Sequence, residues 1–536
     1  MKKLKLVCVA IAMACATPTL AGGLLTNTNQ HVAFNRMMSR EASIGIDGVY
    51  YNPAGVVFMS EGHHLAINWQ LAFQTRTINN DYALFTNNVN NPITPRDFKG
   101  TAFAPVIPSF QYAYNKGKWS FQASFALTGG GGKCTFDDGL GSFEKIVAET
   151  AIAACGLAGV VDQTLGNTLG QPGMEMFTSD QAFGKTGKYS FNSYMHGRQY
   201  YYGLSVGAAY KFCDNFSAFL GVRGVYALTN YYGYVENINV GNMPLYKVLD
   251  PTKESSANIE LSCDQSGVGF TPIIGVDYKT GRWNFSAKYE FKTRIRLKNK
   301  SVNQTPSIGN LPANLANQMT GILTAKYQQA GLPLEQAKQQ AENTTNAVLN
   351  DPTVGATMMG LKTQFDQKLN KAIGEYEDGK KIAGDIPAYL ALGVGYSPVD
   401  AVRVNVGFHW FDDKNATSYN NRNKELKRGT LEYNAGVEVD VNKKITLSTG
   451  WQNTNYGLSD EYMDDKSFVV SSNSVAIGGV YHINKKMDLN VAYFHTFYQH
   501  KKTTETVQLT ADRSLNYSSD YTRNNNVFAV GLDINF

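Results

Sequence analysis

The chain has 536 residues, with 49 Lys and Arg against 44 Asp and Glu, for a formal net charge of +5. Lys2, Lys3 and Lys5 lie in the first 21 residues, which hold no acid, so the rest is nearly neutral at 46 bases to 44 acids, or +2. This balance, without a basic block, excludes a binder of phosphate backbones. Beyond the leader, the sequence shows no apolar run of the roughly 20 residues that a membrane helix needs, which leaves several soluble domains or one large β-barrel.

Met1-Lys2-Lys3-Leu4-Lys5, an apolar run from Leu6 to Ala16, and Thr19-Leu20-Ala21 make a secretory signal peptide over 1–21, cleaved after Ala21. Cys15 offers a lipid-anchored alternative, against which stands the absence of Leu three positions before it. Residues 22–60 do not alternate and form a separate segment. From about His63 to the end, 61–536, the pattern is alternation. Phe285, Ala287, Tyr289 and Phe291 alternate with Asn284, Ser286, Lys288 and Glu290; Val402, Val404, Val406, Phe408 and Trp410 with Arg403, Asn405, Gly407 and His409; Leu431 to Val441 with Glu432 to Asp440. A period of two puts the greasy set on one face and the polar set on the other. A soluble half-buried sheet would do the same, but these strands run long, and their apolar faces begin or end at Tyr114, Trp119, Tyr210, Trp283 and Tyr396, as aromatic girdles of membrane barrels do.

Tight polar turns recur at 116–118, 213–215, 280–282, 398–400, 442–444 and 484–486. Between them lie long connections at roughly 78–99, 130–195, 237–260, 298–383, 412–428, 458–471 and 504–522. Short turns on one side and long loops on the other predict an all-β, 14-stranded antiparallel transmembrane barrel in the outer membrane of a Gram-negative cell. Within the loops, Ile146 to Val161 is apolar and Ala-rich, Leu334 to Ala341 consists of helix formers, and Leu311, Leu315, Met319 and Ile322 recur at helical spacing. The final strand, Val527 to Phe536, alternates and ends the chain on an aromatic residue, resembling the signal read by the barrel assembly machinery. Of Cys134, Cys155, Cys213 and Cys263, the first two share a long loop and could pair; the other two lie at opposite ends of the barrel and should not. No Cys or His spacing suggests a metal, and no cofactor is expected.

Residues 22–60 include Asn35-Arg36-Met37-Met38-Ser39-Arg40-Glu41-Ala42 and then Gly45 to Gly55, with Asn52-Pro53-Ala54 shortly before the first strand. In this motif, its position, the strand count and the terminal Phe536, the chain resembles the FadL-type outer-membrane transporters. The resemblance implies an N-terminal plug, or hatch, inside the barrel; passive uptake of long-chain fatty acids or aromatic hydrocarbons; loop helices that collect greasy substrate; and sideways release through a kink in the third strand. Asn-Pro by itself favours a turn, so Asn52, Pro53 and Ala54 are expected either to link hatch to wall or to gate.

A carboxylate cargo needs inward cations. Alternation places Arg223, Lys288, Lys292, Arg294, Arg403 and His409 inside, together with acids such as Glu290, Glu432 and Glu438 that would neutralise them. Pro105 and Pro108 in the second strand, facing Gly129, Gly130, Gly131 and Gly132 in the third, predict a distorted seam, the candidate opening. Competing readings are a polar-solute porin or surface receptor barrel, against which the plug and apolar loops weigh, and an outer-membrane enzyme, for which no Ser, His and acid set stands out. A monomer contacting outer-membrane lipids is expected.

Overall fold

The computed structural model describes residues 24–306, 308–510 and 513–536; the expected leader 1–21 lies outside them. The segment before the barrel holds α1 (Val32–Arg36) and α2 (Gly48–Tyr51). The wall begins with β1 (Gly62–Tyr82), β2 (Arg96–Lys116) and β3 (Trp119–Phe136). After α3 (Gly141–Leu169) it continues with β4 (Tyr189–Cys213) and β5 (Phe216–Val240). Past α4 (Tyr246–Leu249) come β6 (Ile259–Thr280) and β7, in two parts, Trp283–Glu290 and Arg296–Gln304. Helices α5 (Leu311–Gln329), α6 (Leu334–Leu349) and α7 (Pro352–Ile373) precede β8, also in two parts, Lys381–Ala383 and Tyr389–Val399. Then follow β9 (Val402–Phe411), β10 (Thr430–Asn442), β11 (Ile445–Asn455), β12 (Ser472–Asn484), β13 (Met487–Tyr498, continued by Lys501–Thr510) and β14 (Arg513–Asn535).

Each strand pairs antiparallel with its neighbour, and β14 closes on β1 from His64 opposite Asn535 to Tyr82 opposite Tyr517. Closure removes both sheet edges, which a lipid-facing sheet could not leave unpaired. At the start of β1 the seam is tied by a reciprocal pair: His63 N–H donates to the Phe536 carbonyl at 2.8 Å and the reverse bond is 2.9 Å. The faces are inverted relative to a soluble protein. Leu220, Phe270 and Ile477 on the outside are 69%, 69% and 63% exposed, while Gln70, Gln111, Ser217 and Gln452 inside are buried. So large an apolar exterior needs a nonaqueous surrounding. Trp119 packs on Tyr210 and Trp283 on Tyr396 at the short-turn end.

Three expectations are corrected. The described residues of 504–522 are strand and not loop: Lys501–Thr510 pairs with β14 from Lys501 opposite Tyr521 to Thr510 opposite Arg513. Its β-branched run (Thr503, Thr504, Thr506, Val507) favours a strand, and its mixed polar faces concealed it. Arg294 is outside, not inside. β7 is interrupted after Glu290; Lys288 and Glu290 are buried, but beyond the break Thr293, Ile295 and Leu297 are the buried set and Arg294 is exposed. A one-residue slip moves every later side chain to the other face. Finally, α3 is 29 residues, long and apolar enough to cross a membrane. It instead lies over the long-loop end, packing on α6 and α7 and on the ends of β4 and β5. As for the cysteines, all four are free thiols, Cys134 and Cys155 included.

The loops interlock into a cap. Asp465, between β11 and β12, accepts the Ser142 N–H at the start of α3 at 2.8 Å. Arg422 donates to the Tyr462 and Ser467 carbonyls. Burial pushes Glu375, ahead of β8, up to about 7. Burial and the neighbouring Asp464 push Asp465 up as well. Acids raised in the fold keep protons that the opened loops lose, so cap stability should fall as pH rises from the ordinary carboxylate range to about 7. For Glu375 the upper bound is roughly 3 kcal/mol. Hydrogen exchange of peptides spanning 374–383 and 460–470, corrected for intrinsic rate, should show stronger protection at acidic than at alkaline pH; equal protection would refute the linkage.

Candidate functional site: the plugged lumen and its seam

The segment 24–61 sits inside the barrel, and polar wall side chains satisfy its irregular backbone, which would otherwise be buried unpaired. Gln111 donates to the Gln30 carbonyl at 2.7 Å, Asn284 to Ala42 at 2.8 Å and Asn115 to Val56 at 2.8 Å. Glycines on the wall admit the hatch closely: a Cβ on Gly450 would lie 2.4 Å from the Met38 nitrogen. Ion pairs add to this. Glu438 on β10 meets Arg36, Arg40 at 3.6 Å and Arg403 at 2.8 Å.

Asn52, Pro53 and Ala54 form one such junction. The Asn52 amide donates to Asp277 of β6 at 2.5 Å, and its oxygen accepts the Gly55 N–H at 3.1 Å. The Pro53 carbonyl accepts from Gln122 of β3 and the Ala54 carbonyl from Ser217 of β5, both at 2.7 Å. Three residues thus bind three strands.

The predicted bases do not stand alone. Arg223 chelates Glu290 at 2.5 and 3.0 Å. Lys288 reaches the same Glu290 at 2.9 Å and the Tyr50 carbonyl at 2.6 Å, with its ammonium 3.9 Å from the Tyr50 ring centre. His409 bridges Glu41 of the hatch at 2.7 Å and Glu432 of β10 at 2.8 Å. Arg403 pairs with Glu438 and Asp440 near the short-turn end. Lys292, at the break in β7, is half-buried, bonded to the Asn415 carbonyl and 4.0 Å from Asp385. The structure therefore brings Arg223, Lys288 and His409 to the hatch, and leaves Lys292, Arg294 and Arg403 apart from them. Reading the sequence missed Arg36, Arg40 and Glu41 as hatch anchors, because an irregular segment has no period to read. It also missed Arg76 and Arg523, buried and directly opposite across the closing seam, which alternation would have placed inside.

The seam between β2 and β3 has a gap. Pairing runs from Gly100 to Ala102 and resumes only at Ser109; on β3 the break lies between Ala126 and Cys134. β2 bulges at Pro105 and Val106, where β1 register skips a residue, and the Trp69 indole N–H takes the Pro105 carbonyl at 2.8 Å. Pro108 faces outward. On β3, Thr128 and Gly131 are the extra residues against β4. Gly130 has φ +70°, and a Cβ there would sit 2.4 Å from the Gln199 carbonyl, so glycine is required. The hatch's Asn27 fills the missing bonds: its N–H donates to the Thr128 carbonyl at 2.9 Å and its amide to Gly130 at 2.6 Å. Gly129 bridges to Thr26, and Gly132 stands opposite Gln199. Ala104, Ile107 and Leu127 are buried here in one apolar cluster with Phe34, Tyr50 and Tyr51 of the hatch.

Two cavities lie at opposite ends. Under the cap, α3, α4 and α5 enclose about 170 Å³ lined by Ile146, Leu157, Phe177, Leu249 and Leu311. At the short-turn end, about 680 Å³ beneath the hatch is lined by Arg36, Arg40, Asp47, Glu438, Asp440 and Asp533. One is greasy and the other ionic.

No family model matches the sequence, and no curated protein matches it. Among solved structures, a FadL homologue of Pseudomonas aeruginosa superposes with a TM-score of 0.58 at 13% identity, covering 96% of this chain and 100% of that one. A deltaS2S3 mutant of the TodX monoaromatic hydrocarbon channel does so with a TM-score of 0.50 at 13% identity, covering 94% and 99%. A closed barrel of 14 strands around an N-terminal hatch, aligned over nearly its whole length with the FadL homologue, gives this chain the FadL-type fold.

Proposed function

We propose that the chain is an outer-membrane conduit for passive uptake of hydrophobic compounds, with lateral release through the gap between β2 and β3. The observation that carries this is the contrast between the two ways out of the lumen. Straight down, an apolar molecule would have to displace the hatch and enter an ionic cavity, at the cost of desolvating its charges. Sideways, Ala104, Ile107 and Leu127 continue the apolar surface of the hatch into the unpaired stretch of the wall. The greasy pocket under the cap is a natural first stop, since pockets for such ligands are mostly apolar. The likeness to a FadL homologue and to a hydrocarbon channel supports the same reading.

Long-chain fatty acids are the proposed cargo. Arg223 and Lys288 share one acid, Glu290, and are the two basic side chains that lie against the Tyr50 ring, where a carboxylate head would sit. Asn52, Pro53 and Ala54 are proposed as the hatch's anchor rather than its trigger. The test is transport by the purified chain in liposomes. Oleate and toluene should cross, while sugars should not swell the vesicles. Lys288→Met should weaken oleate binding about tenfold, the size of one charged hydrogen bond, and leave toluene unchanged. Equal loss of both would place the cargo elsewhere, and brisk sugar flux in the parent would favour a polar-solute porin.

A further inference from the structure

The outward face of β7 changes character along its length. Trp283, Phe285, Ala287, Tyr289 and Phe291 come first; after the break, the exposed side chains are Arg294, Arg296, Lys298 and Lys300, every second residue. Two-residue steps space these bases about 6.6 Å apart along the strand. On β8, exposed Lys381 stands directly opposite Lys298. Arg296 has Asp385 at 2.9 Å. Among the described residues, no carboxylate comes within ion-pair distance of Arg294, Lys298, Lys300 or Lys381. Asp264 of β6 stands directly opposite Lys300 and accepts from Asn230 at 2.8 Å, so Lys300 has a carboxylate across from it, whereas Lys298 faces Ser266 on β6 and Lys381 on β8. Like charges directly opposite on one face repel, and a surface built only for solubility would intersperse the signs. The inward residues of the same stretch, Ile295 and Leu297, are ordinary wall packing.

We infer that Arg294, Lys298, Lys300 and Lys381 form a binding site for the phosphates of an anionic lipid head group. The acyl chains of that lipid lie along Phe291 and Tyr289. This rests on the reading that the barrel spans an outer membrane. A strand that is apolar up to one level and cationic above it matches an amphiphile with tails below and phosphates above. The unpaired cations lose their mutual repulsion when phosphates stand between them. Each base near an anionic surface is worth about fivefold in binding, so four should matter together where one would not.

The test uses the full chain in neutral detergent micelles, with lipid A (a glucosamine lipid carrying two phosphates) as the probe. The variant is Arg294→Gln, Lys298→Gln, Lys300→Gln and Lys381→Gln together. The control changes four exposed bases of the short turns, Lys443, Lys444, Lys485 and Lys486, to Gln. Heat-shifted mobility on gels verifies that each barrel is folded. The parent and the control should bind alike, and the ladder variant at least about tenfold more weakly. Dephosphorylated lipid should bind the parent as weakly as lipid A binds the variant, and added salt should erase the difference. Undiminished binding by the variant, or equal binding of dephosphorylated lipid, would overturn the site. Displacement of lipid A by equimolar inorganic phosphate would overturn the lipid assignment in favour of a free anion. Failure of the parent to insert into phosphatidylcholine vesicles is a separate measurement, and strikes the membrane reading instead.

Discussion

Glu438→Gln should loosen the hatch by about 3–5 kcal/mol, the usual cost of stranding a buried ionic partner, and should turn the closed barrel into a leaky one. The carboxylate holds three guanidiniums at once, two from the hatch and one from the wall. Arg40 keeps Asp47 at 2.7 Å and Arg403 keeps Asp440. Arg36 keeps only neutral partners, Asn490 at 3.2 Å and Ser448 at 2.9 Å, so it carries most of the loss. Arg36 borders the ionic cavity but is only 4% exposed, so water compensates the missing charge poorly while the hatch stays in place. Planar-bilayer recordings should show openings that the parent lacks, and sugar-driven liposome swelling should rise. Lys501→Gln, at an exposed pair with Asp460, should do neither. If Glu438→Gln gives the parent's conductance and the parent's urea midpoint, the ion cluster does not hold the hatch.

Deleting Thr128 and Gly131 together should abolish uptake of hydrophobic compounds and leave a folded barrel. These two residues are the surplus on β3 against β4. Removing both preserves which side chains face inward, since the shift is even, and lets β3 run in regular register along β4. Removing one alone would turn Cys134 and Phe136, both buried, toward the outside and is expected to fail in folding. The double deletion also takes away the carbonyl that Asn27 binds, so the hatch end is disturbed; sugar exclusion distinguishes a sealed wall from a displaced hatch. Uptake of oleate and toluene at the parent's rate by a sugar-tight double deletion would reject lateral release.

Much of this was legible in the amino-acid order. Alternation with period two, the six tight turns and the seven long connections determine 14 staves and their outward faces, because lipid and lumen impose opposite polarity on neighbouring residues of one strand. Apolar spacing likewise located α5, with Leu315 and Met319 buried and Ile322 exposed, and helix formers located α6. The sequence also marked the prolines and glycines at which a ladder must fail. Tertiary structure decided the rest. One break after Glu290 sent Arg294 outward and created the basic ladder, since a single slip inverts all that follows. Which acid each base meets, and that Asn52, Pro53 and Ala54 tie three strands together, depend on a hatch with no period, whose partners lie hundreds of residues away and are set by closure of the barrel around it.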